Sequence, residues 1–202
     1  MYRPRLVPRL FIAGALATVA SSMAVAETYT IDQTHSSVEF RIRHLVGRTT
    51  GQFGDFAGTI QYDPAKPAEA KVEATIQVAS IDTDNEQRDA HLKKPDFLDA
   101  ARFPTIAFKS TKAEKLEAGL LVHGELTLHG VTRAIALPVE VLGLGTHPMP
   151  RMKNAPVAGF AARTTVKRSD FGVNTWTDAA GVLGDEVEVT LNIEAIGPVP
   201  AE

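Results

Sequence analysis

The chain of 202 residues carries 21 Lys and Arg against 24 Asp and Glu, a formal net charge of −3, and no cysteine. That composition excludes disulfides, thiolate metal sites and cysteine nucleophiles. The lack of basic runs argues against nucleic acid and against an anionic membrane surface as partners.

Arg3, Arg5 and Arg9 precede an apolar run at 10–20, then Ser21-Ser22-Met23 and the small-x-small triplet Ala24-Val25-Ala26. This is the order of a secretory signal peptide, and the apolar run is too short to span a bilayer. Residues 1–26 are therefore expected to be removed, leaving one domain at 27–202 in a bacterial periplasm. Loss of three arginines lowers the formal net charge from −3 by three, to −6. Without cysteine, the exported domain must be held by its core, which ~176 residues can supply.

After an opening segment at 28–31, apolar and polar residues alternate along most of the chain. Val38, Phe40 and Ile42 are interleaved with Glu39, Arg41 and Arg43. A period of two places one set of side chains on each face of a strand. On this pattern strands are predicted at about 36–44, 52–62, 70–80, 104–112, 119–128, 131–143, 156–167 and 185–196. Turn signals separate most of them: Asp63-Pro64 with Pro67, Glu117-Ala118-Gly119, His129-Gly130, and Asp178-Ala179-Ala180-Gly181. The loop at 144–155 has little periodicity. About eight such strands form an antiparallel sheet able to close into a barrel.

One interval departs from the alternation. Thr83-Asp84-Asn85-Glu86 has the Thr-x-x-Glu spacing of a capping box, good helix formers follow at 87–94, and Pro95 ends the run. A short helix is predicted between the third and fourth strands, over one end of the barrel, with Leu92, Phe97 and Leu98 facing inward.

The inward set read from the alternation includes Phe40, Ile42, Phe56, Ile60, Ile76, Val78, Ile106, Phe108, Leu126, Leu137, Val139, Phe160 and Leu191. His44, Ser110 and Thr164 are its few polar members. Gly58, Ala74, Gly124 and Ala162 fall on the same face. Small inward residues widen a channel, or else the glycines mark bulges that close a solid barrel; both readings stand at this point. Glu39, Arg41, Glu73, Lys109 and Glu188 are expected outside. An aliphatic and aromatic channel selects a long apolar ligand.

Several strings carry a family resemblance. They are His35-Ser36-Ser37-Val38-Glu39-Phe40 with His44; Gly51-Gln52-Phe53-Gly54-Asp55-Phe56-Ala57-Gly58; and Arg88-Asp89-Ala90-His91-Leu92 leading to Asp96-Phe97. Phe103-Pro104-Thr105-Ile106-Ala107-Phe108-Lys109-Ser110 and Gly124-Glu125-Leu126-Thr127-Leu128-His129-Gly130 follow. Arg168-Ser169-Asp170-Phe171-Gly172 and Gly184-Asp185-Glu186-Val187 complete the series. Their ordered set, over about 28–196, resembles the YceI-like family of lipocalin-like, periplasmic polyisoprenoid-binding proteins. Two departures are Leu98, where many relatives carry an aromatic, and the loop at 145–155. The resemblance implies an eight-stranded antiparallel barrel whose channel holds an isoprenoid chain or another long-chain amphiphile.

The candidate ligand-binding residues are then Phe40, Ile42, His44, Phe56, Ile76, Phe97, Phe108, Leu126, Leu137 and Phe160, with Arg88 and His91 at the mouth. Arg88 and His91 lie three apart on the predicted helix, hence on one face. They either meet a polar head group or fix the helix to the rim. Nothing in the sequence requires a cofactor or a metal. His123 and His129, six residues apart on one strand, are about 20 Å distant and cannot share an ion. Gly-x-Ser-x-Gly is absent. The expected function is a non-catalytic carrier of an isoprenoid lipid, with no nucleic-acid partner and a homodimer left open. The alternatives are an enzyme acting on such a lipid, through Arg88, His91 and a rim carboxylate, and a ligand-free barrel serving as an interaction module.

Overall fold

The computed structural model describes residues 26–176 and 181–200. The expected leader and most of the Asp178–Gly181 turn lie outside the described residues. Eleven strand segments make one antiparallel sheet: β1 (Glu27–Ile31), β2 (Ser37–His44), β3 (Gly47–Phe53), β4 (Phe56–Tyr62), β5 (Lys71–Gln77), β6 (Ile81–Asp82), β7 (Thr105–Lys115), β8 (Leu120–Leu128), β9 (Val131–Thr146), β10 (Pro156–Lys167) and β11 (Leu183–Ile196). Among the described residues a single α-helix, α1 (Glu86–Leu92), lies between β6 and β7.

Six of these segments are three long strands, each broken once. β1 and β2 follow one another along β11, β3 pairs with β2 where β4 pairs with β1, and β6 pairs with β3 where β5 pairs with β4. Counted this way, eight antiparallel strands run up and down in chain order and close, β11 returning to β1. The helix enters after the third of them, as predicted.

At each break the inward parity flips. Tyr29 and Ile31 face in on β1, but Val38, Phe40 and Ile42 do so on β2. Phe53 gives way to Phe56 and Ile60, and Ile76 to Ile81. A flat strand keeps its phase, so one extra residue is needed to turn the other set inward. Asp32 serves the first break by capping a 3-10 turn at Gln33–His35, its carboxylate accepting from Thr34 N at 2.9 Å. Gly54-Asp55 makes the second and the 3-10 turn Val78–Ser80 the third. The two are stitched together by Gly54 N donating to Ser80 O at 3.1 Å and Gln77 N to Asp55 O at 2.8 Å.

These breaks correct two predicted strands. The segment at 52–62 is the end of β3 joined to β4, and the one at 70–80 stops at Gln77. The polar stretch at 47–51 is also a strand, because β2 supplies its hydrogen bonds although Gly47-Arg48-Thr49-Thr50 has no apolar face. The helix cap is corrected too. Asn85, not Thr83, caps α1 by accepting from Arg88 N at 2.9 Å. The outward set holds: Glu73 and Lys109 are direct cross-strand partners joined at 2.8 Å, and Arg41 pairs with Glu188.

One end of the barrel is closed by its own side chains. Tyr29, Ile60, Tyr62, Ala70, Leu120, Val122 and Phe160 pack there, with Tyr62 edge-on to Phe160 at 5.6 Å between ring centres. The predicted loop at 144–155 is shorter than expected: β9 continues to Thr146, paired with β10, and in the remaining stretch at 147–155 Ala155 is completely buried.

Candidate ligand-binding channel

The barrel encloses a cavity of about 700 Å³, a volume typical of small-ligand sites. All twelve residues singled out from the sequence line it. Phe40, Ile42 and Phe56 come from β2 and β4, Ile76 and Phe108 from β5 and β7, and Leu126, Leu137 and Phe160 from β8 to β10. His44 stands at the exposed end of β2, while Arg88, His91 and Phe97 come from α1 and the turn after it. Ile60, Ile106, Val139, Leu191 and Thr164 also line the space.

Four of the inward set do not. Val78 is buried in its 3-10 turn, away from the cavity. Ser110 sits at the β7–β8 bulge, where its hydroxyl accepts from Val72 N at 2.8 Å and so replaces a ladder bond. Gly124 is packed too: a side chain there would run into the Phe108 ring and come within 2.6 Å of Lys109 O. Gly58 likewise faces Glu73 O. The four small inward residues therefore divide. The glycines admit close strand approach, and the alanines, Ala74 and Ala162, line the cavity.

The cavity is polarised along its length. Its closed end is the buried apolar floor already described. Its other end is ringed by Thr83, Asn85, Gln87, Arg88, His91 and Arg168, and the exposed members of that ring mark the mouth. Arg88 is tied down: its Nε donates to Thr83 Oγ1 at 2.8 Å and its Nη2 to Thr83 O at 2.6 Å. Asp89 accepts from Thr83 N at 3.0 Å, so one residue after β6 anchors two successive helix positions. His91 Nε2 meets Asp96 Oδ2 at 2.9 Å, and that hydrogen bond holds the Asp96 carboxyl below its ordinary pKa. Phe97 is buried edge-on to His91 at 4.8 Å.

Trp176 and Arg168 lay beyond the reach of sequence patterning. Trp176 stands on the rim, 5.8 Å from the Phe97 ring and 6.1 Å from His91. It lies in a turn, where no periodicity points to a facing. Arg168 is only 5% exposed. Its Nε donates to Gly184 O at 2.8 Å, and its Nη1 donates to Val173 O at 3.0 Å and Thr175 O at 2.7 Å. Burial pushes its pKa down and the Asp185 charge opposes this. The guanidinium thereby fastens the Val173–Trp176 turn to the barrel.

Outside the barrel, Asp32, His35 and Glu194 bring possible ligand atoms within 4.8 Å of one another. Asp32 already accepts from Thr34 N and pairs with His35 Nδ1 at 2.7 Å.

Comparisons with known proteins agree with this architecture. The family pattern of the YceI-like domain matches residues 29–195. A UPF0312 protein of Yersinia enterocolitica is 38% identical over 186 residues, covering 91% of this chain and 93% of the relative. Among solved structures, Burkholderia cenocepacia BcnA superposes with TM-score 0.74 at 27% identity, over 82% of this chain and 99% of its own. A polyisoprenoid binding domain from Saccharophagus degradans shares the fold at TM-score 0.65 and 16% identity, over 86% of this chain and 99% of that one. The match spans the whole barrel, mouth and floor together, and the chain belongs to the YceI-like family.

Proposed function

We propose that this protein is a non-catalytic periplasmic carrier that holds a long isoprenoid-type lipid, a polyprenyl chain or quinone tail, inside the barrel. The observation that carries this reading is the polarised cavity: a blind hydrocarbon tube with its polar groups gathered at the mouth. The tail lies along Ile42, Phe56, Ile76, Phe108, Leu126, Leu137 and Phe160. The head group rests near Arg88, His91 and Arg168, whose excess of donors favours a carbonyl or anionic head. The description of the Saccharophagus barrel as polyisoprenoid binding is in keeping with this. No helix among the described residues is long and apolar enough to cross a membrane. β1 starts at Glu27, immediately after the expected cleavage site, which fits an exported mature domain.

Burying about 400 Å² of hydrocarbon at roughly 25 cal/mol per Å² provides on the order of 10 kcal/mol before association costs, enough for micromolar to nanomolar binding. The test is organic extraction and mass spectrometry of protein purified from its own host. A stoichiometric isoprenoid lipid supports the carrier. A chain that is always empty, or a lipid chemically altered on incubation with the protein, overturns it.

A further inference from the structure

The β2–β3 hairpin ends in a two-residue loop, Leu45-Val46, between the paired residues His44 and Gly47. Leu45 has φ +49°. Such loops favour Asn, Asp or Gly, because a branched side chain in the left-handed region is strained. Both side chains point into solvent, Leu45 at 53% exposure and Val46 at 106%. One pair further back, behind His44 and Gly47, Arg43 and Arg48 are direct cross-strand partners. Like charges placed opposite one another destabilise a hairpin. Arg48 is compensated by Glu188, its Nη1 donating to Oε1 at 3.0 Å. Folding alone does not explain the exposed apolar tip with its left-handed Leu45, and breaches of local sequence logic concentrate at functional positions.

A second breach lies on the same rim. Trp176 has φ +61° and is 46% exposed, although it belongs to the wall of the channel mouth. The hairpin tip adjoins that mouth. His44 and Leu183 line the cavity, and Leu45 N donates to Val182 O at 2.8 Å, holding the loop beside them. Arg43 Nη1 also reaches Leu45 O at 3.1 Å and Gly181 O at 2.8 Å, which fixes the tip's direction.

We propose that this rim docks onto a phospholipid bilayer, with Leu45, Val46 and Trp176 entering the interface and Arg43 and Arg48 reaching the lipid phosphates. The inference rests on the carrier reading, for which it supplies the route: lipid passes between leaflet and channel without crossing water. The layering argues for a bilayer rather than a protein. Apolar side chains stand outermost, cations lie two residues behind on each strand, and an indole stands on the same channel mouth, a layering that suits a membrane interface. A protruding two-residue tip also offers far less than the ~1,000 Å² a specific protein interface needs. The residues from Arg43 to Phe53 contain no acid, and Glu188 on the neighbouring strand, which pairs with Arg48 at 3.0 Å, offsets part of their positive charge. Attraction is accordingly short-ranged and led by the apolar tip.

Trp176 is the only tryptophan in the chain, so its fluorescence reports docking directly. Mature protein is mixed with vesicles of phosphatidylethanolamine and phosphatidylglycerol. Co-sedimentation, a blue-shifted emission and quenching by brominated phospholipid are expected. The double variant Leu45→Asn with Val46→Gly relieves the turn, so its Tm is expected to hold or rise while vesicle affinity falls about tenfold or more. Wild-type protein that yields extracted lipid yet neither sediments nor is quenched overturns the docking and leaves the carrier reading standing. Vesicle binding by a chain that never yields lipid does the reverse. A stoichiometric protein complex that the double variant abolishes, without vesicle binding, also overturns it.

Discussion

Arg168 keeps a buried guanidinium on three backbone carbonyls, with no carboxylate in ion-pair contact among the described residues. Replacing it by Met leaves those acceptors without a donor and frees the Trp176 turn. Arg168→Met is expected to cost about 2–4 kcal/mol in urea unfolding and to raise amide exchange at 173–176. Its neighbour Asp185 is pushed up by burial, but accepting from Ser169 N at 2.9 Å and Ser169 Oγ at 2.7 Å outweighs this and sets its pKa below 3.8. A depressed carboxylate contributes stability that is fully present above its unfolded pKa and is lost as pH falls from there through the folded pKa. The Tm of Asp185→Asn is therefore expected below wild type at neutral pH, with the gap closing as pH drops below 3.8. A gap that persists in acid sinks this account. At this scale the sequence revealed the wall but not its fastenings. Phe40, Ile76 and Leu126 follow from alternation, whereas Arg168 and Trp176 sit where chain direction changes and no period applies.

At the scale of elements, α1 shows how a correct helix came with the wrong cap. The Thr-x-x-Glu spacing pointed to Thr83, yet Asp84 turns the chain at φ +59° and hands the cap to Asn85. Thr83 instead ties Asp89 and Arg88 to the end of β6. Asn85→Ala is expected to cost about 1 kcal/mol, read from the urea midpoint, with the loss confined to the helix. Thr83→Val removes the anchors as well and is expected to cost more; equal losses would show that the cap dominates. The strand breaks were legible in principle. The inward parity changes between Phe53 and Phe56, and a single strand at 52–62 cannot present both rings to one interior. The alternation within each half was strong enough to hide the slip at Gly54-Asp55.

For the whole molecule, channel and solid core are separated by adding volume. Ala162 lines the cavity, so Ala162→Leu is expected to leave the apo Tm nearly unchanged and to lower the lipid recovered on extraction. Gly124→Leu has a different outcome, since its side chain meets Phe108 and a backbone oxygen rather than open space. It is expected to cost roughly 1–3 kcal/mol or more, whatever the channel holds. If Ala162→Leu proves as damaging as Gly124→Leu, the cavity is not available to a ligand. The eight-strand count, the helix position and the outward charges were all readable, because period two and turn residues are local signals. Closure through β1 and β11 was not, since it joins segments from opposite ends of the chain.

The packed floor of Tyr62, Leu120, Val122 and Phe160 turns the barrel into a dead end. Under the carrier reading proposed above, cargo would leave by the door it entered, tail first in and head first out. Depth would then work as a ruler: a tail shorter than the tube would draw its head below the rim, and a longer one would hold its head outside. Lipids recovered from the protein are expected to show a sharp upper limit of chain length, which Phe160→Ala shifts upward by opening the floor. A length distribution that the variant leaves unmoved would mean that the floor is not what stops the tail.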